Sequence, residues 1–115
     1  MLNEESKEMR VKEEGIKTIL LKRELGEIYR QVAKYDKATE ALLSCLDKWN
    51  EIATIEENWG LKIDILSNLG CTNKEQGNYD DAKKYLGEVL DISREKVRLS
   101  EERRVGGAKR RLYIT

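Results

Sequence analysis

Four amphipathic helices are predicted along the chain, because apolar residues recur at three- and four-residue spacing between short polar corners. The predicted helices cover about 16–33, 36–57, 59–76 and 80–104. The apolar face of the first comprises Ile16, Ile19, Leu20, Leu21, Leu25, Ile28, Tyr29 and Val32. Those of the others run from Ala38 to Ile55, from Trp59 to Asn73, and from Ala82 to Leu99.

Glycines suggest where helices end or approach one another. A further helix is predicted over residues 3–14, and Gly15 is predicted to separate it from the next helix. Gly26 lies within the apolar face of the first main helix, which indicates close approach by a neighbouring helix. Asp36 is the expected N-cap of the second helix. Gly106-Gly107 is predicted to end the fourth helix, so that 105–115 would begin a fifth or form a tail.

The two helical hairpins repeat with an offset of 44 residues. Leu25-Gly26 aligns with Leu69-Gly70, and Tyr35-Asp36-x-Ala38 aligns with Tyr79-Asp80-x-Ala82. We therefore expect one domain over 1–115, with repeats at 16–57 and 59–104. In that scheme, 3–14 is the tail of a preceding second helix and 105–115 the start of a following first helix.

This pattern resembles the tetratricopeptide repeat family. The matching elements are Leu-Gly-x-x-Tyr at 25–29 and Tyr-Asp-x-Ala at 35–38 and 79–82. Ala33 stands where the family has a corner glycine, and Asn73 where it has a tyrosine. The chain lacks proline, and its repeat is about ten residues longer than the usual one. It is thus similar to the long repeats of Leu-Gly-Asn repeat proteins and kinesin light chains.

The resemblance implies an all-α solenoid of antiparallel helical hairpins that binds a peptide or protein segment in a concave groove lined by the first helix of each repeat. Its conserved positions serve packing in the family and do not specify a partner. The candidate groove residues are Arg23, Glu24, Glu27, Arg30, Asp64, Asn68, Cys71 and Lys74. A solvated helix face without a ligand remains the alternative interpretation.

A carboxylate clamp of the kind found in chaperone-binding members of the family is disfavoured. The clamp uses a lysine and an asparagine one helical turn apart, and the matching residues here are Arg23 and Glu27. Glu27 would repel a carboxylate. Asn68 matches a further clamp position, but asparagine is common there in the family generally.

Composition argues against catalysis and against a general attraction to nucleic acid. Basic and acidic residues number 22 each, and histidine is absent. Cys45 and Cys71 lack the spacing of a metal site, and no glycine-rich phosphate loop occurs. We expect a non-enzymatic protein without a cofactor, and a cytoplasmic location with reduced thiols. No apolar run is long enough to span a membrane.

Two alternatives concern the ends of the chain. Open solenoid ends could support self-assembly, with Trp49, Trp59 and Leu112-Tyr113-Ile114 as candidate contacts. Residues 94–115 carry eight basic and three acidic side chains, a net charge of +5, which could attract RNA, an acidic protein or an anionic lipid. The interspersed glutamates favour a solvated helix end instead.

Overall fold

Four helices form two stacked hairpins. The computed structural model describes the backbone of residues 4–52 and 59–114, and side chains over 5–52 and 59–102. The helices are α1 (Glu4–Gln31), α2 (Tyr35–Ile52), α3 (Trp59–Gln76) and α4 (Tyr79–Ile114), with no strand in these ranges. α1 packs on α2, α3 packs on α4, and the hairpins meet through α2 and α3. The predicted all-α solenoid of about two repeats is confirmed.

Both hairpin corners have the same backbone geometry. At the first, Ala33 N–H donates to the Arg30 carbonyl and Lys34 N–H donates to the Tyr29 carbonyl. At the second, the N–H groups of Gly77 and Asn78 make the equivalent bonds to the residues three and five positions earlier. This is the Schellman arrangement, which places its central residue in the left-handed region. Ala33 has φ 59° and Gly77 has φ 90°.

α2 starts directly after the first corner, so the predicted N-cap of this helix is wrong. The Lys34 carbonyl already accepts from Ala38 N–H, so α2 begins at Tyr35. Asp36 therefore lies inside the first turn and is not the N-cap. Its Oδ1 accepts a hydrogen bond from Gln76 Nε2 at 2.9 Å, which links the corner to the end of α3.

We expect Ala33→Gly to raise the free energy of unfolding by about 1 kcal/mol. A β-carbon in the left-handed region costs roughly that amount, and glycine avoids it. Urea denaturation followed by circular dichroism measures the change. The reverse substitution, Gly77→Ala, should lower stability by a similar amount. A β-carbon at Gly77 would meet no atom within 4 Å, so its cost comes from the backbone alone. Equal stability of all three proteins would contradict this account of the corner.

The core lies between the two hairpins. Its buried members come from three helices and are Ile19, Leu42, Cys45, Trp49, Ile52, Ile65 and Leu69. Leu46, Leu61, Tyr85 and Ile16 pack against its edge. Asn73 is buried beside the second corner, where its Nδ2 donates to the Leu69 carbonyl at 2.8 Å. The family's tyrosine is thus replaced here by a side chain that hydrogen-bonds its own helix.

The break predicted at Gly15 is wrong, because α1 continues through this residue without interruption. Gly15 is instead a point of close approach. A β-carbon there would lie 2.8 Å from Cγ2 of the buried Ile52 in α2. The absent side chain lets the two helices approach each other, which local helix propensity cannot reveal.

The break predicted at Gly106-Gly107 is also wrong, since α4 runs on to Ile114. Consequently no fifth helix begins at 105. Two other predictions lie outside the described residues: the end of the second helix near residue 57, including Ile55, and the contacts of the Leu112-Tyr113-Ile114 side chains. Residues 4–14 and 105–114 are continuous with α1 and α4, so they do not form the separate helices predicted there. The repeat bounds 16–57 and 59–104 stay a prediction.

The apolar face predicted for the first helix is only partly buried. Ile19 is fully enclosed, whereas Leu21, Leu25, Ile28 and Val32 are exposed. These four residues lie on the side of α1 that faces away from α3. Within the described chain no helix covers this side, so hydrophobic periodicity alone overestimated the core.

Candidate functional site

The candidate groove is a wall formed by α1 and α3 lying side by side, the first helix of each hairpin. Two ion pairs join them. Arg23 Nη1 pairs with Asp64 Oδ2, and Arg30 Nη1 lies 2.7 Å from Glu75 Oε1. The paired positions are 41 and 45 residues apart, on either side of the 44-residue offset. Opposite charges therefore hold equivalent helices of successive repeats in register.

Arg30 is also held by its own helix. Its Nε donates to Glu27 Oε2 at 3.1 Å and its Nη2 lies 2.5 Å from Glu27 Oε1. This hydrogen bonding is the main reason that the pKa of Glu27 is lowered and that of Arg30 is raised. Both groups stay ionised across the neutral range. Because the side chains are partly exposed, the pair orients the guanidinium more than it stabilises the fold.

Five of the eight predicted groove residues thus form hydrogen bonds with one another or with the facing helix. Asn68 completes this set, with its Nδ2 3.4 Å from Asp64 Oδ1. The remaining three are exposed: Glu24, Cys71 and Lys74. Glu24 lies 3.9 Å from Arg23, and Lys74 forms no ion pair with the described residues. Partner binding by these eight residues stays a prediction.

These pairings were not predicted, although the sequence contains a signal for them. The predicted groove residues were chosen within each repeat, whereas the ion pairs join a cation in one repeat to an acid at a nearby position of the next. Comparing charges at offsets close to the repeat length would have suggested Arg23 with Asp64 and Arg30 with Glu75. The engagement of Arg23 by Asp64 further disfavours the carboxylate clamp, since this cation is already paired.

The two cysteines have opposite environments. Cys45 is buried, its Sγ donates to the Ile19 carbonyl at 3.3 Å, and burial raises its pKa to about 11. It is therefore protonated and inaccessible at neutral pH. Cys71 is a free and exposed thiol on the α3 side of the wall. No group of three or more potential metal ligands occurs in the described part of the chain.

The basic segment beyond residue 94 is partly neutralised by its own glutamates. Arg98 bonds Glu95 and Glu102 through its two terminal nitrogens, each at 2.5 Å. The pKa of Arg98 is raised and that of Glu95 is lowered, chiefly by their mutual hydrogen bonding. These local pairs on α4 fit the interpretation of a solvated helix surface. Basic side chains beyond 102 lie outside the described set.

Comparison with known proteins agrees with the architecture. None of the described helices has the length and apolar character that a membrane crossing requires. No match was found among curated proteins or among solved structures. A family model described as "Tetratricopeptide repeat" matches residues 17–95, which include both corners, all of α2 and α3, and parts of α1 and α4. The repeat motifs, the paired corners and this match together show that the chain belongs to the tetratricopeptide repeat family.

Proposed function

We propose that this protein is a non-enzymatic interaction scaffold that binds a peptide or protein segment along the wall formed by α1 and α3. Tetratricopeptide repeats generally serve as protein–protein interaction modules, and this supports the class of function. The proposal includes a cytoplasmic setting, which the unpaired Cys45 and Cys71 support.

The main support for the proposal is the pair of ion pairs that joins α1 to α3. Arg23–Asp64 and Arg30–Glu75 connect α1 to α3, so the polar groups of two repeats form one continuous surface. Groups fixed before binding lose little conformational entropy when a ligand arrives. Glu24, Cys71 and Lys74 are exposed beside these pairs and remain available to a ligand.

The test is a panning of a displayed random-peptide library against the chain, followed by titration of the selected peptides. We expect Lys74→Glu to weaken these peptides by about tenfold or more, because it reverses an exposed charge in the wall. Lys83→Glu is the matched control, since it makes the same change at an exposed lysine on α4. Arg23 is a poor choice for reversal, because glutamate there would face Asp64 and disturb the wall itself.

Thiol alkylation provides an independent measure of where the peptides bind. Cys71 is exposed, whereas Cys45 is buried with a pKa of about 11, so one adduct per native chain is expected. A peptide on the wall should slow alkylation of Cys71. Peptides that bind both lysine variants equally and leave Cys71 reactive would refute peptide binding along the wall. A library that yields no binder would refute it as well.

A further inference from the structure

An uncovered apolar stripe runs along α1. Its members, Leu21, Leu25, Ile28 and Val32, are spaced by four, three and four residues, so they share one helix face. Leu21 is 72% exposed and Leu25 42%. We call this set the α1 stripe. It is separate from the ion-paired wall, to which Arg23 and Arg30 belong.

Three of the four equivalent positions of α3 are buried, and the fourth, Gln76, is exposed. At the 44-residue offset, Leu21 corresponds to Ile65 and Leu25 to Leu69. Ile65 and Leu69 belong to the core and have no exposed surface. The difference is that α3 has α2 packed against it, whereas no described helix lies against this face of α1. The α1 stripe is thus the surface on which a helix equivalent to α2 would pack.

The equivalent of α2 within this chain is α4, and α4 has a complementary uncovered stripe. Leu42 and Leu46 of α2 belong to or pack against the core between the hairpins. Their counterparts at the 44-residue offset are Leu86 and Leu90. Leu90 is 54% exposed, and Val97 continues the same face two turns later. We call Leu86, Leu90 and Val97 the α4 stripe.

We propose that a second copy of this chain binds head to tail, with the α4 stripe of one copy packed on the α1 stripe of the next. The arrangement repeats the contact that α2 makes with α3 inside each chain. The chain carries both halves of this interface, and each half is apolar and exposed. Leu21, Leu25 and Leu86 correspond to residues that are buried inside the chain. The interface joins two different surfaces, so it leaves a free stripe at each end and allows further copies to add.

This interface should depend little on salt. Inside the chain, Arg23 pairs with Asp64 between α1 and α3. The counterparts that would meet across two copies are Ser67 and Leu20, which cannot form an ion pair. Association between copies therefore relies on the apolar stripes, and screening of charges by salt should change its strength little.

Sedimentation velocity across a wide concentration range tests the proposal. We expect the average mass of the wild type to rise with concentration beyond that of a dimer, at low and at high salt. Leu21→Glu/Leu25→Glu blocks the α1 stripe, and Leu90→Glu/Val97→Glu blocks the α4 stripe. Each should weaken association at least about tenfold, because buried carboxylates would face apolar side chains. These side chains are exposed, so folding should be retained, as circular dichroism would verify.

Mixing the variants identifies the geometry. Each variant alone should be monomeric, yet an equimolar mixture should form a one-to-one complex, because each supplies the stripe that the other lacks. The control Met9→Glu/Leu99→Glu changes two exposed apolar residues off both stripes and should associate like the wild type. A wild type that stays monomeric would overturn the proposal. So would a variant that still dimerises alone, or a mixture that does not form the complex.

Discussion

Trp49→Ala is expected to lower the free energy of unfolding by about 3 to 5 kcal/mol, the largest effect of any single truncation among the described residues. Trp49 is 1% exposed and belongs to the core that joins the two hairpins. Its ring centroid lies 4.9 Å from that of Trp59 in α3, and Lys62 Nζ lies 5.1 Å from it. Removing the indole therefore leaves a cavity at the contact between repeats.

Denaturation in urea, followed by far-ultraviolet circular dichroism, measures this loss. Because a domain of this size is stabilised by roughly 5 to 15 kcal/mol, the variant should be marginally folded. Trp59→Ala is the matched control. That indole is 38% exposed, so its removal should cost less, about 1 to 2 kcal/mol. An equal or larger loss for Trp59→Ala would show that Trp49 does not dominate the contact.

Gly70→Val is expected to lower the free energy of unfolding by about 2 kcal/mol through overpacking. Gly70 is buried in α3, where a β-carbon would lie 2.6 Å from Cγ and 2.7 Å from Cδ2 of Leu86. Two branched methyl groups would push α4 away from α3 or force Leu86 into another rotamer. The gain in helix propensity over glycine, a few tenths of a kcal/mol, does not offset this.

The same substitution at Gly87 is the control. Gly87 also lies within a helix, but a β-carbon there would meet no atom within 4 Å. Gly87→Val should therefore leave stability unchanged or raise it slightly, whereas the thermal and urea midpoints of Gly70→Val should fall. If both variants lose stability equally, glycine at 70 is not required by the close approach of Leu86.

The repeat architecture was predictable because it depends on local information. Apolar spacing, the Leu-Gly and Tyr-Asp-x-Ala motifs and the polar corners each involve neighbouring residues, and the 44-residue offset appears by direct comparison. Helix existence and order therefore followed from the sequence. Boundaries set by single glycines did not, because Gly15 and Gly106-Gly107 lie inside helices. A glycine inside a helix lowers stability by about 1 kcal/mol relative to alanine, and tertiary packing can compensate for a loss of that size.

For the candidate site, the sequence identified which side chains lie along the first helix of each repeat. It did not show that Arg23 and Arg30 form ion pairs with Asp64 and Glu75. Those contacts depend on how two helices distant in sequence are placed side by side. The side chains of the polar wall are consequently more ordered, and fewer of their charges are unpaired, than a helical wheel suggests.

The sequence alone determined the helical class, the two-hairpin repeat and the family, since all three are recorded in short-range spacing and in its recurrence. Only the tertiary structure decided which apolar residues are buried. Leu21 and Ile65 occupy the same position of the repeat, yet one is exposed and the other is enclosed. Burial depends on whether another helix covers that face, and this is a property of the stack of helices that no local pattern contains.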